Sequence, residues 1–389
     1  MARVLIIAYT AYASDGRVRR HAENLAARGD CVDVICLGAA ASPRNGAVNV
    51  IALGRPRYRG ASRGRYLVGY LEFLSRAALL AARLARRHRY HVTIACTLPD
   101  AAILAALGPR LFGSRLILDM HDTMPELYLD KFGGNRNSLG PRLLLWQERA
   151  AARLADRVFA VHEPHRRRLL QAGIPGEKIV VVANAPDPRI FRPAAGNGAP
   201  AHPFTLVYHG TVTHRSGLDI ALEAAALLRS RLGGFKVRII GAGDYMDRVK
   251  RTAHALRLDG SVEFLDPVPV DHLPYLLSGA AVGVVPNRAS PATQLMLPVK
   301  LLEYVSLGIP VVCARLETIE HYFDQSALRF FEPGRADRLA QAIEAVHARP
   351  EETRCMIERA RTVAAKQLSF EEQRRRYYQT IDTLAAAAP

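Results

Sequence analysis

Residues 3–37 read RVLIIAYTAYASDGRVRRHAENLAARGDCVDVICL. The opening RVLIIAY (3–9) is a short, nearly all-apolar run, and CVDVICL (31–37) repeats the type. Between them, RVRRHAENLAARG (17–29) spaces its apolar residues at helical intervals and stops on a glycine. A strand buried on both faces has no polar side to alternate, so apolar strands joined by helices imply a parallel sheet covered on both faces. The unit recurs outward in HVTIACT (91–97), RLILDMH (115–121) and RVFAVHE (157–163). At 192–203 the pattern breaks into RPAAGNGAPAHP, a Pro- and Gly-rich linker. The alternation restarts in FTLVYHG (204–210), KVRIIGAG (236–243), SVEFLDP (261–267), AVGVVPN (281–287) and IPVVCAR (309–315). The expectation is an α/β chain of two doubly wound parallel-sheet domains, 1–190 and 204–369, joined by a linker at 191–203.

The 389 residues suffice for two full cores. The five cysteines (Cys31, Cys36, Cys96, Cys313 and Cys355) show no paired metal spacing and suit buried thiols in a reducing compartment. No secretory leader pattern and no uncharged run of membrane-spanning length is present, so a cytosolic location is expected. Charge departs from the ordinary: the net value is +17. Residues 1–190 hold 29 Lys and Arg against 15 Asp and Glu, whereas 191–389 hold 24 against 21. Within 55–89, ten arginines face one acid, Glu72. The segment YLVGYLEFLSRAALLAARLARR (66–87) predicts a helix with a wide apolar stripe and arginines at one end. That pattern suits anionic lipid head groups better than nucleic acid, for which no recognition motif accompanies the charge. A core helix with a solvated basic face is the alternative.

In such sheets ligands gather at the carboxyl ends of strands. Those ends are Tyr9–Gly16, Met120-His121-Asp122, Asn184–Asp187, Gly210–Gly217, Gly241–Asp244 and Asn287–Lys300. Gly241-Ala242-Gly243 is half of a dinucleotide fingerprint, but Met246 stands where the third glycine belongs, so a tight strand-to-helix turn is the better reading. In VYHGTVTHRSGLDIALEAAALL (207–228) a strand ends at Gly210, and Thr211, Thr213, His214 and Arg215 lead to Gly217 and a helix. Small residues, hydroxyls and an arginine before a helix N-terminus suit a diphosphate, or simply a capped loop. In LPVKLLEYVSLGIPVV (297–312), Pro298 suits the first turn of a helix, and Gly308 suits its left-handed close. Lys300 and Glu303 share one face of that helix, as a surface ion pair or as something a ligand uses.

Taken in order, HGTVTHRSGLD, IIGAGD, VEFLDPV and LPVKLLEYVSLGIPVV resemble the donor domain of the family 4 retaining glycosyltransferases. The N-terminal segments DGRVRRHAENLAARGDCVDVIC, LDMHDTMPEL and VVVANAPDPRIFRP agree, so the resemblance spans nearly the whole chain. It implies the GT-B architecture, two Rossmann-like domains facing a central cleft. FEEQRRRYYQTIDTLAAA (370–387) is similar to the C-terminal helix (370–389) that crosses back to the first, acceptor-binding domain. The resemblance implies that Glu303 binds the ribose hydroxyls of a nucleotide sugar, with Gly210, Thr211, Arg215, Leu297 and Lys300 completing the donor site. His121, Arg215 and Lys300 are the implied catalytic residues. By the same resemblance His121 faces the donor sugar, and Asp122 and Glu126 after it are implied acceptor contacts. Asp15, Gly16 and Arg17 lie where family acceptors enter, although Asp15 also fits a plain helix N-cap. His162 and His165 are expected to be structural or basic-surface residues.

The chain departs from the family in places. Leu295 stands eight positions before Glu303, where an acid is usual. Thr211 and Ser216 replace a basic pair, with Arg215 beside the usual site. TAYASDGRV (10–18) replaces a glycine pair after the first strand. The implied reaction moves a hexose from a nucleotide sugar, with UDP expected before GDP, to a lipid-linked or other saccharide acceptor, on one face of the sugar and without a metal or further cofactor. The 55–89 region would seat the protein on the inner membrane face. The alternative is a GT-B protein impaired in catalysis that serves as a basic membrane scaffold.

Overall fold

The computed structural model describes residues 1–38, 48–54, 58, 62–193, 203–232 and 234–388. The chain divides into two compact units, 1–184 with 371–389, and 185–370. Most of the expected linker, and Arg55, Arg57 and Arg59 of the basic region, lie outside the described residues.

Unit 1 contains β1 (Arg3–Ala11), β2 (Cys31–Leu37), β3 (Val48–Ala52), β4 (Val92–Cys96), β5 (Arg115–Met120), β6 (Arg157–Ala160) and β7 (Ile179–Val181). Among the described residues they form one sheet in the order β3-β2-β1-β4-β5-β6-β7, and every pairing is parallel. Alternation along β1 sorts the core. Leu5 and Ile7 point to one face, against Phe73, Ala77, Ala81, Ala102, Ile103, Ala151 and Ala152. Val4 and Ile6 point to the other, against Val18, Ala22, Leu25, Tyr377, Ile381 and Leu384. The second face is completed by the C-terminal helix Phe370–Ala386. Its Gln373 side chain accepts from the Ala183 amide at 2.8 Å, and Tyr377 stacks on His21 with ring centroids 4.0 Å apart.

Unit 2 contains β8 (Phe204–His209), β9 (Phe235–Ile240), β10 (Val262–Leu265), β11 (Val282–Val285), β12 (Val311–Ala314) and β13 (Arg329–Phe331). They lie in the order β10-β9-β8-β11-β12-β13, again all parallel. Both sheets reverse their winding beside the first strand of the unit, which opens a crevice at the carboxyl ends there.

One buried cluster in unit 1 gathers three carboxyls. Asp100, Glu126 and Glu148 converge on Arg168, and Arg136 adds a bond to Glu126 at 2.7 Å. Both Asp100 oxygens are buried without a hydrogen-bond partner among the described residues. Burial, and then the nearby Glu148, raise its pKa well above the usual carboxylate range. The protonated form is therefore favoured by folding. Its contribution is complete below the ordinary Asp value and is lost as pH rises through the raised one. Asp100→Asn keeps the shape without the titration. It should leave the protein about 1–3 kcal/mol more stable than the parent at alkaline pH, with the difference narrowing as pH falls toward 5. Melting curves from pH 5 to 9 check this; parallel curves for the two proteins would contradict it.

Candidate functional site

In unit 2, the chemistry-bearing side chains collect around the end of β8. The helix Val299–Leu307 begins after Pro298, which is its N-cap rather than a first-turn residue, and closes on Gly308 in the left-handed region. Its inward residues Leu301, Leu302, Tyr304 and Val305 are buried, which fixes the helix against the sheet. The Tyr304 hydroxyl accepts from the His209 amide at 3.1 Å and donates to the Val207 carbonyl at 3.3 Å. That tie holds the helix to the last turn of β8.

Lys300 and Glu303 then face the strand end. The Lys300 ammonium lies 3.7 Å from the centre of the Tyr208 ring, a cation–π contact. It also lies over Gly210, where a Cβ would come within 3.3 Å of Nζ. The Glu303 side chain is nearly buried and its Oε2 is 3.0 Å from His209 Nε2, a close contact without hydrogen-bond alignment. Among the described residues Lys300 and Glu303 form no ion pair with each other, so the surface-pair alternative is set aside. His209 was not singled out from the sequence, although its place at the end of an apolar strand was the available signal.

The loop after Gly210 is braced internally. Ser216 Oγ donates to the Thr211 carbonyl at 3.0 Å and lies 3.0 Å from Thr213 Oγ1. Gly217 has φ +66°, and a Cβ there would stand 1.9 Å from the Pro286 carbonyl oxygen, so only glycine lets the loop reach β11. Gly241 is equally constrained, at φ +149° with a Cβ 2.0 Å from the Gly210 carbonyl oxygen. The Gly-Ala-Gly run therefore serves close backbone contact with the β8 turn. The Arg215 carbonyl accepts from the Arg288 amide at 3.0 Å, which brings a second arginine to the loop. Arg288 is held by Asp219 at 2.5 Å, and Tyr245 donates to the same carboxylate oxygen at 3.2 Å. Beside Arg288, Asn287 keeps a buried side-chain oxygen without a partner among the described residues. Leu297, on the loop leading into the helix, is half-buried. Arg215, Arg288 and Lys300 thus stand on the segments around the strand end with exposed Thr211 and two carboxylates, Glu303 and the Asp219 that already pairs with Arg288.

In unit 1, His121 follows β5, and its amide donates to Thr97 Oγ1, 3.0 Å away. His121 Nε2 lies 3.1 Å from Asp119 Oδ2. Asp119 is in turn gripped by Arg17 through Nε at 3.1 Å and Nη2 at 2.7 Å, while Arg17 Nη1 donates to the Val182 carbonyl at 3.0 Å. Burial opposes charge on Asp119, but Arg17 and then His121 overcome it and hold the carboxyl well below its usual range. Cys96, Asp119 and His121 bring three ligand-type atoms within 4.8 Å of one another. Arg17 already neutralises Asp119, and burial, reinforced by Asp119, keeps the Cys96 thiol protonated, so the donor set suits a metal ion poorly.

Two expected acceptor contacts, Arg17 and Glu126, are corrected by these placements. Arg17 is 4% exposed and committed to the buried pair with Asp119. Glu126 is 1% exposed and bound by Arg136 and Arg168. Asp15 Oδ1 accepts from the amides of Arg17 at 3.2 Å and Val18 at 3.0 Å, so it caps the helix Gly16–Ala27. Gly16 is exposed and Asp122 half-buried, so both remain accessible. His162 caps the helix Glu163–Gln171, its Nδ1 accepting from the His165 amide at 3.0 Å, and His165 is buried.

These two units match two family models. Residues 16–185 match the glycosyl transferase 4-like domain, and residues 194–363 match glycosyl transferases group 1. The chain belongs to the GT4-type glycosyltransferases of GT-B fold. It is 29% identical over 161 residues to the putative colanic acid biosynthesis glycosyltransferase WcaL of Escherichia coli, a match over 41% of this chain and 39% of that protein. The chain thus spans well under half the length of that relative. Among solved structures, sucrose-phosphate synthase from Thermosynechococcus elongatus covers 100% of both chains with a TM-score of 0.82 at 18% identity. Anabaena HepE in complex with UDP-glucose covers 98% of this chain and 100% of its own with a TM-score of 0.75 at 16% identity. At such identities the likeness is one of fold.

Proposed function

We propose that this protein transfers a hexose from a nucleotide sugar to a saccharide acceptor, with retention of configuration, in the assembly of a polysaccharide or glycolipid. The observation that carries the reading is the end of β8, where Lys300 crosses over Gly210 while Glu303 stands beside His209. A diphosphate needs cations and free amides, and a ribose needs a fixed carboxylate for its two vicinal hydroxyls. Lys300, Arg215 and Arg288 answer the first need and Glu303 the second. WcaL is named for colanic acid biosynthesis, which supports a polysaccharide product, and the UDP-glucose complex of HepE supports a UDP-sugar donor, with a GDP-sugar next.

In the reaction, the bond from the sugar anomeric carbon to the diphosphate oxygen breaks, and a bond to the acceptor oxygen forms on the same face. The acceptor proton passes to the departing diphosphate. Negative charge grows on that leaving group, and Lys300 and Arg215 stabilise it without a metal or further cofactor. His121 contacts the donor sugar or the acceptor hydroxyl, and Gly16 and Asp122 line the acceptor side. The acceptor is lipid-linked, and the 55–89 basic region holds the protein peripherally on the inner face of an anionic membrane. No helix among the described residues is long and apolar enough to cross a membrane.

The test is the anomeric configuration of the product. With an α-linked UDP- or GDP-hexose and a saccharide acceptor, proton NMR of the purified product should show the α anomer, and EDTA should leave the rate unchanged. A β product would overturn retention. Loss of activity in EDTA, restored by a divalent cation, would overturn metal independence.

A further inference from the structure

Fifteen large apolar side chains stand exposed among the described residues, and eleven of them fall between residues 67 and 154. They are therefore not the scatter expected of an ordinary surface. The segments that carry most of them are the helix Arg63–His88, the turns and short helix over 100–111, and the helix Leu139–Leu154. All three pack their small residues on the same face of the unit 1 sheet: Ala77 and Ala81, Ala102 and Ala106, Ala151 and Ala152. Their outward sides then form one layer.

The layer is most exposed on the helix Leu139–Leu154. Leu139 (84%), Leu143 (62%) and Trp146 (65%) stand at i, i+4 and i+7, a single stripe. Arg142 and Arg153 are exposed on the same side. Leu111 and Leu67, Leu71 and Leu79 extend the apolar surface on the neighbouring segments. Across 63–88, 100–111 and 139–154 the chain has ten arginines and only three acids. Asp100 and Glu148 are buried, and Glu72 is paired with Arg76 at 3.2 Å. The exposed charge of the layer is therefore almost wholly positive.

We infer that this layer is the face on which the protein lies against an anionic lipid bilayer, with Leu139, Leu143 and Trp146 as the inserted anchor. The inference rests on the peripheral-membrane part of the proposed function and names its contact surface, which reaches well beyond the 55–89 segment. A bilayer answers both features of the layer at once. Acyl chains take the leucines, the interface takes the indole, and lipid phosphates take arginines whose stems reach back along the apolar surface. Each arginine near such a surface adds to the attraction.

The sequence contains one tryptophan, so the emission of Trp146 reports this surface and nothing else. The full chain is mixed with vesicles of phosphatidylglycerol and phosphatidylcholine, and with vesicles of phosphatidylcholine alone. A blue shift of Trp146 emission on the anionic vesicles, together with co-sedimentation, is the expected result. Leu139→Ser with Leu143→Ser should cut vesicle partitioning by roughly tenfold or more for the apolar area removed. Arg142→Glu, at an exposed position, should also weaken it. Unchanged far-ultraviolet dichroism shows that the variants fold, and nucleotide calorimetry on the same samples reads the donor site separately. Co-sedimentation with unshifted emission would place the membrane contact elsewhere and overturn this surface. Absence of vesicle binding would overturn it too. A blue shift that follows protein concentration without lipid would make the layer a self-association face, and would equally overturn the inference.

Discussion

Arg17→Ala should destabilise unit 1 by about 3–5 kcal/mol, the cost of leaving a buried carboxylate without its partner. Asp119 is nearly sealed from water, and Arg17 supplies two of its hydrogen bonds and most of its compensating charge. The Val182 carbonyl loses its donor in the same step. Urea unfolding followed by circular dichroism measures the loss. Replacing both partners, Arg17→Met with Asp119→Leu, should recover most of it, because neither charge is then stranded. The single variant should also change the acid limb. Asp119 is held below its ordinary value of 3.8 in the folded protein, so its contribution is complete above that pH and is lost as pH falls toward the depressed value. Without Arg17 that acid-labile share disappears. A single variant within about 1 kcal/mol of the parent would show that the Arg17–Asp119 pair does not carry this stability.

Glu303→Ala should weaken nucleotide binding by about 2–3 kcal/mol, or roughly 30–150-fold, the value of charged hydrogen bonds to two hydroxyls. Folding should suffer less, since the carboxylate's one close partner among the described residues is His209, and the helix Val299–Leu307 is held by Leu301, Leu302 and Tyr304. Glu303→Gln keeps shape but loses charge, so it should fall between parent and alanine. Equal affinity in all three proteins would remove Glu303 from the donor site.

The strands legible in the sequence were those buried on both faces, where the all-apolar run is unmistakable. Three were not singled out: Val48–Ala52, Ile179–Val181 and Arg329–Phe331. Each is an edge strand of three to five residues with partly exposed positions, too short and too mixed to stand out. The donor-site residues were legible because they lie on strand ends and on one helix face, both of which have a period. Pairings across the fold were not. Arg17 and Asp119 are 102 residues apart, Arg168 and Glu126 are 42 apart, and nothing local in either segment marks its partner. Arg17 and Glu126 therefore read as acceptor contacts from their place after a strand end, whereas burial commits both to structure. His209 escaped notice for the same reason, since its contact with Glu303 exists only once the helix is laid against β8.

Isothermal calorimetry with UDP, GDP, ADP and dTDP, each with and without EDTA, tests the central claim most directly. The account predicts clear binding of one nucleotide, with UDP first in expectation, at an affinity unchanged by EDTA and lowered in Glu303→Ala. No binding of any of the four by folded protein would contradict it, and would leave a GT-B chain without a working donor site.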